Sequence, residues 1–198
     1  MERQKMTVDR SKQHAEYNDN WALKIEDFNI IQNSCSLIHK PIVLDIAASK
    51  ENKKCIIYFT KQDDALKQDW YTGHDMFLNG SYQGFYYCNP PYSLKEDFLK
   101  KAHEQLEKGN EGIFLLPNSA ETSWYREYIL YPNLPRMVFP RRIQFIDPRP
   151  PEPGKKKRKG NTGASVLVAF VKEGSALPEI RDKNGIIQPW VVNREIVR

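Results

Sequence analysis

The residues with the most chemistry in them are Asn89-Pro90-Pro91-Tyr92, inside the stretch Phe85 to Ser93, FYYCNPPYS. The side-chain carbonyl of Asn89 accepts a hydrogen bond, and the backbone carbonyl of Pro90 offers a second acceptor. Two consecutive prolines hold that backbone outward and contribute no competing N–H. Two convergent acceptors suit a planar NH₂ group, and the ring of Tyr92 gives a flat substrate a face to stack on. An exocyclic amine is a weak nucleophile because its lone pair is delocalised into the ring. Accepting hydrogen bonds from its protons draws the nitrogen toward a tetrahedral geometry and stabilises the positive charge that develops on alkylation. The competing reading of Asn-Pro-Pro is a plain strand-terminating turn. The aromatic run before it and the well-marked helix after it favour the clamp.

The elements that must position this tetrapeptide are legible as apolar periodicities. Short apolar runs occur at Pro41 to Leu44, Cys55 to Phe59, Gly84 to Cys88, Gly112 to Leu116, Arg136 to Phe139, Ile143 to Ile146 and Ser165 to Val171. Several lack alternation (IVL, CIIYF, IFLL, VLVAF), which predicts strands covered on both faces, as in a mostly parallel sheet of an α/β protein. From Leu94 to Lys108, Leu94, Phe98, Leu99, Ala102 and Leu106 form one amphipathic stripe. Ser93 is placed to cap that helix, with Glu96 three residues on and Gly109 as the C-terminal stop. A second helix is expected over Glu121 to Leu130 and a third near Lys24 to Ser36. In an open α/β sheet, ligands bind just past the carboxyl ends of the strands, which is where Asn89 to Tyr92 falls.

The chain has 198 residues, a net charge of +5 and 40% hydrophobic residues, enough apolar material for one globular domain. Its core is expected over about 20–172, with a loop at 147–163 and an extension at 173–198. No apolar stretch approaches the roughly 20 residues of a membrane-spanning helix, and the first 30 residues lack a signal-peptide core. An intracellular protein with no membrane partner is expected. Cys35, Cys55 and Cys88 form no CxxC pair, and His14, His39, His74 and His103 fit no metal spacing, so neither a disulfide framework nor a metal site is expected. Trp21, Trp70, Trp124 and Trp190 read as core residues, with Trp124 close enough to the Ile113 to Leu116 strand to border the site.

Positive charge is concentrated between Arg136 and Gly160, with nine basic residues against Asp147 and Glu152. Such clustering is the footprint of a polyanion-binding surface, most simply nucleic acid, and its bland alternative is a solvated loop. The stretch DPRPPEPGKKKRKGNTG, 147–163, reads as a long loop within a hairpin. Ile186 to Val197 either adds a terminal strand or trails as a tail. Lys155, Lys156, Lys157, Arg158 and Lys159 would also suit nuclear import, but they lie inside the hairpin, which favours DNA contact.

The chain resembles the phage-type DNA N6-adenine methyltransferase (Dam-like) family, whose members use S-adenosylmethionine and an NPPY motif. Four blocks in order, covering roughly Asn20 to Phe170, carry the likeness: LDIAAS (Leu44 to Ser49), NKKCIIYFTKQDDALKQDW (Asn52 to Trp70), YCNPPYS with the following GIFLLP strand, and RIQF (Arg142 to Phe145) followed by GNTGASVLVAF. The resemblance implies a Rossmann-like methyltransferase fold, a mostly parallel central sheet with a C-terminal antiparallel hairpin. It implies Asn89, Pro90, Pro91 and Tyr92 as the catalytic clamp on the target base. It also implies that Asp45, Ile46, Ala47 and Ser49, with Asp63 or Asp64 and with Asn89, hold the cofactor. Arg141, Arg142 and the run Lys155 to Lys159 would contact DNA. Ala47-Ala48 replaces the usual glycine-rich loop, and Trp21 is followed by Ala22-Leu23 where the family tends to carry Thr-Pro. The expected reaction is methylation of adenine N6 in DNA. The alternatives are another planar amine (cytosine N4, adenine in RNA, a protein glutamine) or a DNA-binding relative without catalysis. The oligomeric state is left open between monomer and homodimer.

Overall fold

Six of the seven apolar runs become strands of one sheet in the computed structural model, which describes residues 19, 21–71, 73–74, 82–146 and 163–192. In chain order these are β1 (Ile42–Asp45) and β2 (Ile57–Tyr58), a separate short antiparallel pair β3 (Gly73–His74) and β4 (Tyr82–Gln83), then β5 (Phe85–Cys88), β6 (Gly112–Pro117), β7 (Arg136–Val138) and β8 (Ser165–Phe170). The six-stranded sheet has the order β2-β1-β5-β6-β8-β7. Its first three pairings are parallel, and β8 runs antiparallel to both neighbours. The fold is therefore mixed α/β.

The unbroken apolar runs of β5, β6 and β8 have the reason anticipated for them, cover on both faces, but Cys55 to Phe59 does not: β2 is the end strand of the sheet, with Ile56 95% exposed and Ile57 42%. Tyr86 and Cys88 point into one core with Leu44, Trp70, Phe98, Leu99, Phe114 and Trp124. Phe85 and Tyr87 point into the other with Phe28, Ile31, Ile113, Leu115 and Leu167. Helix α1 (Ile25–Leu37) covers the second face. The first is covered by α2 (Lys95–Glu107) and by a third helix, α3, whose single α-helical turn Ser123–Tyr125 continues as a π-helical turn, Arg126–Leu130. Gly109 sits at φ +90° just past α2, the left-handed stop that glycine adopts without strain.

Packing beneath β5 is close. A Cβ on Gly112 would lie 2.1 Å from the ring of the fully buried Tyr86, so glycine here lets a tyrosine lie flat across the neighbouring strand. Tyr86 in turn meets Trp70 edge-on at 5.1 Å. Buried Trp70 donates its Nε1–H to Ala65 O at 2.8 Å, and its backbone N–H reaches Gln105 Oε1 at 2.9 Å. Of the other tryptophans, Trp124 is buried, while Trp21 and Trp190 are half-buried.

Two local expectations are corrected. The run Ile143 to Ile146 does not form the strand of a hairpin with β8. Ile143 drops into the core beneath the sheet, Phe145 turns to a cavity, and Ile146 makes an isolated bridge with Ala22. The partner that β8 finds instead is β7. Ser93 does not cap α2. A 3₁₀ turn, Tyr92–Leu94, intervenes, and the helix starts at Lys95 with no side-chain cap. At the C-terminal end, Arg136 exchanges backbone hydrogen bonds with Val191, so among the described residues the extension meets the edge strand through an isolated bridge. The loop interior at 147–162 lies outside the described residues.

Candidate active site

β1 and β5 are adjacent and parallel, with Asp45 in register with Tyr87. Chain order reverses between them, with β2 on one side and β6 on the other, which makes the crevice past their carboxyl ends the topological switch point. Asp45 ends one strand and Asn89 follows the other. Two groups of expected site residues, distant in sequence, are thus brought to one edge of the sheet by topology alone.

On the β5 side a cavity of about 440 Å³ opens beside the tetrapeptide, within the range of small-molecule sites. Asn89, Pro90 and Tyr92 line it, together with Trp21, Lys95 and Phe145, and Leu115 to Pro117 at the end of β6 form its apolar wall. Asn89 donates Nδ2–H to the backbone carbonyl of Trp21 at 3.2 Å. An amide nitrogen facing a carbonyl leaves Oδ1 as the atom turned elsewhere, available as an acceptor. The turn that follows closes through Pro91, whose carbonyl takes the N–H of Leu94 at 3.0 Å. Tyr92 is exposed (53%), as a stacking platform must be. Lys95 Nζ lies 5.3 Å from the Tyr92 ring centre and 5.4 Å from that of Trp124. A cation held between two ring faces keeps its charge at the cavity wall.

On the β1 side, Asp45 is buried and its carboxylate organises the loop that follows. Oδ1 accepts from Ala47 N–H at 3.3 Å and Oδ2 from Lys54 N–H at 2.9 Å. Burial pushes its pKa up to about 6, against the lowering pull of those two N–H groups and of the Lys54 charge. Ile46 N–H is tied to Tyr87 O and Ala48 N–H to Phe59 O, so the loop is pinned to both neighbouring strands. Ser49 Oγ accepts from the N–H groups of Glu51 and Asn52 and donates to Glu51 Oε2. Past β2, Asp63 accepts from both the N–H and the hydroxyl of Thr60, which hold its pKa down. Asp64, at φ +52°, pairs with Lys67 at 2.8 Å. The sequence expectation left the choice between these two aspartates open, and the structure gives each its own local partner.

The expected DNA contacts are placed unevenly. The Arg141 guanidinium engages Asp27 Oδ1 of α1, through Nε at 3.0 Å and also through Nη2, while over half of its side chain stays exposed. Arg142 is exposed at the same turn. Lys155, Lys156, Lys157, Arg158 and Lys159 lie outside the described residues. Among the described residues no cluster of His, Cys, Asp and Glu is placed to hold a metal, and no helix is long and apolar enough to cross a membrane.

Sequence reasoning missed Asp19 and Lys95. Asp19 accepts from both Ser93 N–H (2.9 Å) and Ser93 Oγ–H (2.6 Å) across 74 positions of sequence, a pairing without a local signature. Lys95 carried one, since it lies three residues after Tyr92 in the first turn of the following helix, but it is outside the apolar stripe by which that helix was read.

A family profile described as DNA N-6-adenine-methyltransferase (Dam) matches residues 10–194. The chain belongs to this family. The match runs through every element around the cavity. Among curated proteins, the DNA N-6-adenine-methyltransferase of Escherichia phage T1 is 38% identical over 84 residues, a segment covering 42% of this chain and 31% of the phage protein. No solved structure matches the chain significantly.

Proposed function

We propose that this protein transfers a methyl group from S-adenosylmethionine to the N6 amino group of adenine in DNA, on a Rossmann-like methyltransferase fold. The observation that carries the reading is the orientation of Asn89. With its NH₂ engaged by Trp21 O, its Oδ1 remains as the acceptor for a substrate amine at the cavity. Family membership names that amine as adenine N6.

The residues on the β1 side suit the cofactor by charge and size. S-adenosylmethionine carries a positive sulfonium and a ribose diol; Asp45 ends β1, Asp63 and Asp64 follow β2, and alanines stand at positions 47 and 48. Ile46 and Ser49 flank that stretch. When bound, the cofactor supplies an already activated methyl group.

The chain's own residues do the rest. Adenine within a duplex is unreachable, so the base is flipped into the cavity, where Tyr92 stacks on its face. Asn89 Oδ1 and the Pro90 carbonyl accept the two N6 hydrogens, raising electron density on nitrogen and stabilising the charge that forms on it. Pro91 holds the turn rigid at φ −52°. The apolar wall from Leu115 to Pro117 excludes water from the reacting nitrogen. Orientation and electrostatics carry the rate, and no strong general base is needed. Arg142, the exposed part of Arg141 and the run Lys155 to Lys159 supply phosphate contacts.

The test is transfer of labelled methyl to unmethylated DNA followed by nucleoside analysis, with Asn89→Ala as control. N6-methyladenine from the wild type and none from the variant, with cofactor binding retained in both, is the expected result. Label recovered in cytosine, in RNA or in protein would replace the substrate assignment. Retained methylation by Asn89→Ala would remove the clamp.

A further inference from the structure

We propose that Asp19 is a positioning residue that fixes which end of the Asn89 carboxamide faces the substrate; this rests on the methyl-transfer reading above. The carbonyl and the NH₂ of an asparagine side chain are nearly the same size, so packing alone distinguishes the two orientations poorly. Chemistry separates them completely: turned inward, Oδ1 accepts from a substrate amine, whereas Nδ2 opposes it donor to donor. The discriminating partner is the Trp21 carbonyl, 3.2 Å from Nδ2, which tolerates the amide nitrogen and repels the amide oxygen. What must be explained is how that carbonyl is held in place, since Trp21 belongs to neither a helix nor a strand.

It is held from both sides. Ala22, the next residue, exchanges two backbone hydrogen bonds with Ile146, at 3.2 and 2.8 Å. Two residues earlier, Asp19 receives both the N–H and the hydroxyl of Ser93 on its two carboxylate oxygens. Ser93 follows Tyr92 directly. One segment thus grips the tetrapeptide at its first residue, Asn89, and just after it, at Ser93, and the same segment lines the cavity through Asp19 and Trp21. The two hydrogen bonds to an ionised acceptor are of the stronger kind. Without them, the segment before Trp21 loses its tie to Ser93, and the turn loses that attachment.

Asp19→Ala is expected to slow single-turnover methyl transfer on the order of tenfold to a hundredfold, the scale of a misplaced reacting group. The dissociation constants for cofactor and DNA and the melting temperature should stay close to wild type. Asp19→Asn keeps one carbonyl acceptor for Ser93 and should recover most of the rate. With ¹⁵N-asparagine labelling, the Asn89 side-chain NH₂ should give a hydrogen-bonded, exchange-protected resonance in the wild type that loses protection in Asp19→Ala. An unchanged rate in Asp19→Ala would overturn the proposal. So would equal rate losses in both variants that parallel a lowered melting temperature, because Asp19 would then be merely structural. Failure of the wild type to methylate adenine in DNA would overturn the substrate reading instead, and the NMR arm would still decide whether Asp19 orients Asn89.

Discussion

Replacing Asp45 by asparagine isolates the titration of one buried carboxyl. Burial raises that group from its ordinary 3.8 to about 6 despite the N–H groups of Lys54 and Ala47. The folded protein therefore holds this proton more tightly than the unfolded chain. Its stabilising contribution is complete below about pH 3, is still mostly present at pH 4, and is lost as pH rises through about 6. The interval between the two values corresponds to about 3 kcal/mol at pH 7, of which roughly 0.5 kcal/mol is already lost at pH 4. Asparagine has nearly the same shape and cannot ionise. A constant offset arises because its NH₂ must face one of the two N–H groups that the carboxylate accepts. Relative to wild type, Asp45→Asn should therefore gain about 2 kcal/mol of stability on going from pH 4 to pH 7. Urea denaturation of both proteins at one-unit steps across this window measures the difference directly. Other titrating groups cancel in it. A difference flat with pH would refute the burial argument, and a slope of opposite sign would mean that the surrounding N–H groups outweigh desolvation.

Gly112→Ala drives a methyl group into the Tyr86 ring at 2.1 Å, and Tyr86 has no room to retreat from Trp70 and Phe114; a loss of about 3 kcal/mol, at the upper end of overpacking costs, is expected in the same denaturation assay. Arg141→Met leaves the buried Asp27 carboxylate without its guanidinium. Because solvent still reaches the arginine, the cost should be about 1–2 kcal/mol rather than the value for a fully buried pair, and thermal denaturation of the variant beside Asp27→Asn would show it. Neutralising Lys155, Lys156, Lys157, Arg158 and Lys159 should weaken DNA binding at low salt and flatten the plot of log affinity against log salt by about one for each residue that meets a phosphate. An unchanged slope would return the run to a solvated loop.

The parts of the fold that the sequence revealed are those with strong local physics. Uninterrupted apolar runs at Gly84 to Cys88, Gly112 to Leu116 and Ser165 to Val171 announced doubly covered strands because no position in them tolerates water on either side. The stripe through Phe98, Leu99 and Ala102 announced α2 with its face correctly oriented. Ile143 to Ile146 misled because apolar residues at strand length look alike whether they pair with a neighbour or pack singly. Ser93 misled for a related reason. A serine before a helical stripe is a good local cap, but a carboxylate 74 positions away competes for the same N–H and hydroxyl. That Asn89, Pro90 and Tyr92 line one cavity was legible from type and order. The contacts that hold them were not, since Asp19 and Trp21 reach them across long sequence separations and, for Trp21, through a backbone atom that is the same in every residue.

The antiparallel course of β8 places its first residue, Ser165, opposite Pro117 at the end of β6 and on the cavity wall. Phe145, shortly before Asp147, lines the same cavity. The chain therefore leaves the described core beside the cavity at Ile146 and re-enters it there at Gly163. The described residues that flank 147–162 on either side thus stand next to the same cavity. Under the proposed reading, the two described flanks of that stretch border the site where the base would enter. A graft of that stretch between relatives would be a route to altered sequence preference with the chemistry left in place.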